Sequence, residues 1–440
     1  MSSSLARQAL SVVANRWLLA ACNFVTFVIL ARVLTSVEFG AYGVFTSAVF
    51  LVEAAGNLGI RQAGAHQIGQ KSLSDGQVLG ASLMVWPISA TVCGLLVWWS
   101  MHNVVGTYGG SWLLPSLLAT FGVVLASLCQ GIFLGRGQIG IFNLIDIFPR
   151  LILLLGVLVL SVLGWAGIGE QSWLFAASFV TTAVLGIVLA RPAEGERITA
   201  SFRVLWQLVR QGWPFALALF LILLNARVSI FILSLQLDQA AAGQYFAALR
   251  FNDLLLQGAA SVGLVLFSHG ARSQDPQLAL GRAAQATRVM IWGTILIALA
   301  GMVLAPVLVP LLLGADYSNS VFALQCLLLA LPFATLSRVL SPVLSGLGRP
   351  LVGALVLAPA IVLNAGLSYW LSGPYGIAGA AIAMAVTQVM VAAGFVLMTW
   401  KVFGRRPGEF VLPRRSDVQD IVGNLRRRLA RRAAQKGIDQ

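Results

Sequence analysis

Apolar stretches about twenty residues long recur from the first forty residues to about residue 400, separated only by short clusters of Gly, Pro and charged residues. A bilayer core about 30 Å thick is crossed by about 20 helical residues. Inside that core every backbone donor and acceptor must be satisfied within the protein, which leaves few folds open. Twelve spans are predicted, over residues 10–31, 39–60, 77–100, 112–134, 140–163, 172–190, 212–235, 241–268, 286–313, 319–345, 350–371 and 375–400. Composition agrees: 58% of residues are hydrophobic and only 10% are charged, against about 25% charged in a soluble domain. Membrane strands would be short and would alternate apolar with polar residues, and these runs do not. An all-α polytopic membrane protein is expected, with no room for a separate soluble domain. The opening "MSSSLARQALSVVANRWLL" runs into apolar sequence without a small-residue cleavage site, so it reads as an uncleaved first span.

Loop charge sets the expected orientation, because Lys and Arg collect in short cytoplasmic loops. One set of loops carries Arg61, Lys71, Arg136, Arg191, Arg197, Arg203, Arg210, Arg272, Arg282 and Arg349. The other carries mainly Glu38, Glu170, Asp238 and Asp316, with Arg32 at its edge as a candidate for snorkelling to headgroups. Both termini are therefore expected in the cytoplasm. In "SFRVLWQLVRQG" (201–212), Phe202, Leu205, Trp206 and Val209 recur at helical spacing opposite Arg203, Gln207 and Arg210, which predicts an interfacial helix linking span six to span seven. From Lys401 onward eleven Lys or Arg face four Asp or Glu, so seven of the fourteen net positive charges lie in the last forty residues. Ser416 and Gln419 suit a capping box there, followed by an apolar face of Val418, Ile421, Val422, Leu425 and Leu429. Two readings fit this tail: a basic amphipathic helix on anionic lipid, and a solvated tail that enforces topology. No aromatic residue is interleaved with its charges after Phe410, so nucleic acid is not an expected partner.

The two halves echo each other. "FLGRGQ" (133–138) answers "LSGLGRP" (344–350), Pro149 and Gly156 answer Pro359 and Gly366, Gly164, Gly167 and Ile168 answer Gly373, Gly376 and Ile377, and Gly40 with Tyr42 answers Gly243 with Tyr245. Six spans following six spans make the repeats parallel, related by an axis along the membrane normal. The expected organisation is an N-lobe over 1–198, an interfacial linker helix over 199–211, a C-lobe over 212–400 and a cytoplasmic tail over 401–440. Two such lobes with a cleft between them have the architecture of a transporter.

Charges inside the spans point into that cleft. "LFLILLNARVSIFIL" (219–233) places Arg227 at the centre of span seven, while Arg250 and Asp253 fall in span eight, Asp146 and Arg150 in span five, Glu53 in span two, Arg338 in span ten and Arg16 near the start of span one. A charge facing lipid at mid-depth costs about 2.5–3.5 kcal/mol or more, so each must face protein or water. Polar neighbours share their faces: Gln257 and Ser261 with Arg250 and Asp253, Asn143 with Asp146 and Arg150, Tyr42, Thr46 and Asn57 with Glu53, and Thr335, Ser341 and Ser345 with Arg338. Asp146 with Arg150 and Arg250 with Asp253 could each neutralise themselves within one helix. Arg227 has no acidic residue in reach on its own helix, so its counter-charge must come from another span or from a ligand. Arg16 could engage that ligand or snorkel. Glu53 lacks a cation on its own helix and is a candidate ion-coupling group or a structural partner, as Asp253 and Asp146 are. Five arginines against three acids leave the interior net positive, and the planar guanidinium fork suits phosphate oxygens. An amphiphilic anion is the expected cargo. The four cysteines fall within apolar spans and predict no disulfide framework. His66, His102 and His269 have no ligand spacing between them, so neither a metal nor a cofactor is expected.

Four longer stretches carry a family resemblance: "ILARVLTSVEFGAYGVF" (29–45), "NARVSIFILSLQLDQAAAGQYFAALR" (225–250), "LLLGADYSNSVFALQCLLLALPF" (311–333) and "GPYGIAGAAIA" (373–383). They resemble the polysaccharide biosynthesis proteins, the Wzx-type flippases of the multidrug/oligosaccharidyl-lipid/polysaccharide exporter superfamily. The resemblance implies two MATE-like six-helix lobes in the bacterial inner membrane and translocation of undecaprenyl-diphosphate-linked oligosaccharides for surface polysaccharide synthesis. Lipid-linked oligosaccharide is then the partner, together with anionic lipids at the tail and other polysaccharide-assembly proteins. Twelve spans set the chain apart from the fourteen-span lipid II flippases of the same superfamily. Arg227, Arg250 and Arg16 are the expected diphosphate contacts, with Arg338 and Arg150 in the same lumen. A cation-coupled multidrug exporter of the same fold is the alternative, and it would favour an acidic, aromatic cavity. A membrane polymerase or ligase would need a substantial outside loop, whereas the longest here is "MHNVVGTYGGS" (101–111), so no enzymatic activity is expected.

Overall fold

The turns between the apolar runs carry their own start and stop signals in the computed structural model, which describes residues 3–106, 112–165, 167–192, 196–272 and 275–413. Thr35 and Glu38 form a capping box that starts α2 (Ser36–Gly56), and Ser74 with Gln77 does the same for α4 (Asp75–Ser100). Gly137 (φ 71°) turns α5 (Leu113–Gly135) into α6 (Ile139–Val162), and its repeat counterpart Gly348 (φ 75°) turns α11 (Ser320–Gly346) into α12 (Pro350–Phe403). A side chain at either position would strain that left-handed backbone. The other crossing helices are α1 (Ser3–Val33), α7 (Ile168–Leu189), α8 (Phe202–Gln236), α9 (Gln239–Arg272) and α10 (Pro276–Leu313), with shorter α3 (Ile60–Gly69) and α13 (Gly408–Val411).

Among the described residues there is no strand, and ten helices are long and apolar enough to cross a membrane. The last of the ten is two helices joined at the non-helical Gly376 (φ 58°, ψ −138°). With α12 divided there, and with the more polar α9 added, the described residues form twelve helices of membrane-crossing length in two lobes. Large apolar side chains such as Val162, Val303, Val362 and Trp370 remain 73–86% exposed, the surface that a bilayer covers.

The buried cores explain how the lobes sit together. One cluster joins both lobes, running from Phe27, Phe39 and Phe45 through Phe175 to Tyr245, Phe246 and Tyr317. It lies where α2 and α9 begin. At the opposite end the cores are separate, one around Leu79, Ile132, Phe133 and Leu208, the other around Leu280, Leu340, Phe395 and Phe410. The lobes therefore share one core at one end and have separate cores at the end bearing the Arg-rich loops, where the start of α8 still joins them. The end with the shared core is where the repeats meet: a Cβ on Gly40 would fall 1.8 Å from the Gln239 carbonyl oxygen, and one on Gly243 would fall 2.3 Å from that of Ser36. Corresponding residues of the two repeats thus face each other, as the axis along the membrane normal requires.

Several expectations need correction. The segment expected as a separate interfacial linker over 199–211 is the first turns of α8, which continues through Pro214 to Gln236. Pro214 costs that helix one amide donor, a loss that a membrane-crossing helix packed among others tolerates, so the helix runs on. Its buried face is Val204, Leu205 and Leu208, packed into the N-lobe core, whereas Phe202 and Trp206 of the expected stripe are exposed. Gln67 donates to Gln211 at 2.6 Å and ties this segment to α3. Span two ends earlier than expected, at Gly56. There Asn57 accepts from the Gly59 amide at 2.8 Å and donates to Glu53 at 3.2 Å, so two residues expected on a lumenal stripe instead shape a helix end. Arg32 does not snorkel. Its Nε donates to the Leu312 carbonyl at 2.7 Å and its Nη2 to that of Leu311, which binds the end of α1 to the end of α10 in the other lobe.

On the Arg-rich side, Arg136 pairs with Asp75 at 2.8 Å and donates to the carbonyls of Ala190 and Arg191 at 3.0 Å, closing the end of α7 onto the start of α4. Nearby, Glu196 accepts from the Ser74 side chain and the Gly76 amide, which hold its carboxyl below the ordinary carboxylate range. Arg136→Ala is expected to cost about 2 kcal/mol, the size of lost charged hydrogen bonds, and to lower the thermal unfolding midpoint in detergent. The tail is docked as far as Phe410, which is fully buried, with Arg405 paired to Glu409 at 2.8 Å and bonded to Gln277. The expected amphipathic helix after Ser416 lies outside the described residues.

Candidate functional site

Four helices bring charge to one place. A cavity of about 390 Å³ lies between the lobes, and its lining includes Arg150 of α6, Arg227 of α8, Arg250 and Asp253 of α9 and Arg338 of α11, with α1, α2 and α7 completing the wall. Each of these charged side chains is half-buried, so none faces the bilayer. The lining thus carries four cations against one anion.

The pairings differ from what helical spacing suggests. Asp253 does not pair with Arg250 one turn away. It accepts from Arg227 Nη2 at 2.6 Å, from the neighbouring helix. This supplies the counter-charge that Arg227 lacks on α8, and only in part: its Nη1 is buried with no partner among the described residues. Arg250 instead lies 4.5 Å above the Phe246 ring, a cation–π contact between residues four apart. Neither Arg250 nor Arg338 has a carboxylate oxygen within 4.0 Å among the described residues. Arg150 and Asp146 do pair within their helix, at 3.7 Å, and the Arg150 guanidinium also lies 5.5 Å from the Phe179 ring.

Arg16, Asp146 and Glu53 are not among the lining residues. Arg16 sits one helical turn before the lining residue Ala20, in electrostatic reach of Asp146 and Arg61. Glu53 is held by Asn57 at the end of α2. Charge patterning alone also passes over the cavity's phenylalanines, among them Phe24, Phe27, Phe50, Phe175, Phe179 and Phe246. The spacing of Phe24 with Phe27 and Phe175 with Phe179 is a signal of them, although in so apolar a chain it looks like core.

The shape left by these contacts is an under-neutralised pocket in which the guanidinium groups of Arg150 and Arg250 rest on aromatic faces. Its charge and shape are complementary to an anion with several oxygens beside apolar surface. Fold and site together define a two-lobed, all-helical polytopic membrane protein with a charged cavity between its lobes. The chain is similar to a multidrug resistance MATE family transporter of the multidrug/oligosaccharidyl-lipid/polysaccharide exporter superfamily in an inward-facing conformation (16% identity over 88% of this chain and 95% of the other, TM-score 0.69). It is also similar to the lipid II flippase MurJ in an inward closed conformation (14% identity, 87% of each chain, TM-score 0.70) and to a MATE transporter of Vibrio cholerae (17% identity, 91% and 98%, TM-score 0.59). At these identities the likeness is one of fold. No curated protein matches the chain by sequence. The profile of the polysaccharide biosynthesis protein family matches residues 29–322, and the chain belongs to that family.

Proposed function

We propose that this protein is a flippase that carries lipid-diphosphate-linked oligosaccharides across the bacterial inner membrane by alternating access. The observation carrying this reading is the convergence of Arg150, Arg227, Arg250 and Arg338 on one cavity that offers a single carboxylate. The diphosphate lies among the guanidinium groups, the sugars follow it into the hydrated cleft, and the polyprenyl chain stays in lipid between the lobes. Burying the phosphate charge in oil is prohibitive, and the arginines replace its water. Arg16, one turn nearer the end with separate cores, meets the phosphate before the cavity does. The lobes, residues 1–198 and 212–400 with the start of α8 between them, rock about the seam of Gly40 and Gly243. With the Arg-rich loops in the cytoplasm, the end with separate cores faces inward and the arrangement is ready to load. The protein moves its substrate without changing it and is not an enzyme.

A cation-coupled drug exporter of this fold would present carboxylates free to meet a cation, and the one in this cavity is already held by Arg227. Thermal unfolding of the full chain in detergent separates the two readings. A polyprenyl-diphosphate oligosaccharide is expected to raise the midpoint by several degrees, an effect that fades with salt, while the polyprenyl alcohol and a lipophilic cation such as ethidium leave it unchanged. Stabilisation by ethidium and not by the diphosphate would reverse the assignment.

A further inference from the structure

Asp253 is a puzzle in a phosphate site, because a fixed anion among the arginines weakens the binding of any anionic cargo. Its placement gives it a use. It is within electrostatic reach of Arg227, Arg250 and Arg338, yet it takes one hydrogen bond from one nitrogen of one of them. The bond is 2.6 Å long and leaves the other terminal nitrogen of Arg227 buried without a partner among the described residues. A carboxylate matched to a guanidinium commonly takes both N–H directions of the fork. This one takes half. The contact is strong enough to neutralise Arg227 in an empty cavity and incomplete enough to be displaced by a group with more charge and more oxygens.

Building on the flippase reading above, we propose that Asp253 is a resident counter-ion that changes places with the substrate's diphosphate. When substrate enters, a phosphate takes both nitrogens of Arg227 and Asp253 turns away. When substrate leaves, Asp253 returns and neutralises Arg227. The step matters because an empty carrier must reorient with its arginines inside a low-dielectric protein, where each uncompensated charge is costly. Without a carboxylate to take the substrate's place, the loaded state is favoured and the empty return is slow. Asp253 is thus a positioning residue, acting through Arg227 and not on the substrate.

Asp253→Asn in the full-length protein tests the swap with inorganic pyrophosphate as the probe. The variant is expected to bind pyrophosphate on the order of ten times more tightly than wild type by calorimetry, a gain that removing one repulsive charge accounts for. In vesicles containing lipid-linked oligosaccharide, net flipping into an empty leaflet is expected to fall, while exchange between two loaded leaflets persists because it needs no empty return. A merely structural role would depress both. Equal or weaker pyrophosphate binding by Asp253→Asn, with wild type binding normally, overturns the swap and leaves the flippase reading standing. Failure of wild type to bind either pyrophosphate or the lipid diphosphate overturns the flippase reading itself. Should the variant not fold, infrared difference spectra of wild type decide the matter: pyrophosphate must shift an aspartate carboxylate band, and an unmoved spectrum overturns the swap.

Discussion

For the proposed flippase, Arg227→Ala and Arg250→Ala are each expected to lower flipping by about 10- to 100-fold, since a charged hydrogen bond contributes about 1.5–3 kcal/mol and each 1.4 kcal/mol is a factor of ten. The two variants should fail differently. Removing Arg227 takes away the phosphate contact and also strands Asp253, whose ion pair is the 2.6 Å contact with that side chain, so pyrophosphate binding weakens and repulsion is added to the loss. Removing Arg250 strands no carboxylate and uncovers the Phe246 ring instead. Its loss should be closer to that of a single phosphate contact. Replacing both with Lys keeps the charge and loses the planar fork, so binding should recover more than transport does. Complementation of surface polysaccharide at matched expression measures the first effect, and vesicle flipping the second. Full activity of both alanine variants would remove these residues from the mechanism.

Gly40→Val is expected to break up the shared core of the lobes. Its Cβ would lie 1.8 Å from the Gln239 carbonyl oxygen and 2.8 Å from the Gly243 amide nitrogen, both of them backbone atoms that cannot rotate aside. Overpacking costs about 1–3 kcal/mol, enough to move a two-state equilibrium by about a factor of ten or more. The lobes should then separate where α2 and α9 begin. A cysteine introduced for Thr46, which lines the cavity, should react on the order of ten times faster with an impermeant thiol reagent added from that side, by the same reckoning. Gly243→Val should reproduce the effect, because the repeat axis places the two glycines against each other. Arg32→Ala should produce a milder version, since it releases the α1 end from the Leu311 and Leu312 carbonyls without forcing anything apart. Unchanged labelling and normal transport in the Gly40 variant would show that this seam does not open.

What the linear chain makes legible is local or repetitive. Helix hydrogen bonds close within four residues, so the apolar runs and their Gly, Pro and capping signals mark nearly every span, and a duplicated chain betrays its two lobes through Gly40 with Gly243 and Gly137 with Gly348. The cost of charge in lipid likewise forces Arg150, Arg227, Arg250 and Arg338 inward, however the helices are arranged. Helical spacing does not say which of them meet. Arg250 and Asp253 stand at i and i+3 and do not pair, whereas Arg227 and Asp253 are 26 residues apart and do. The choice depends on how far α8 and α9 are rotated about their axes, which packing of the whole lobe fixes. The same holds for Arg32, whose partners lie 279 and 280 residues away, and for Glu53, which the break at Asn57 turns from the lumen to a helix end. Sequence determined the number of helices, their duplication and the sign of the interior, because those follow from solvation and short-range bonding. Tertiary structure alone decided which charges share the cavity and at which end the lobes share a core, because both depend on distances between helices that no local pattern encodes.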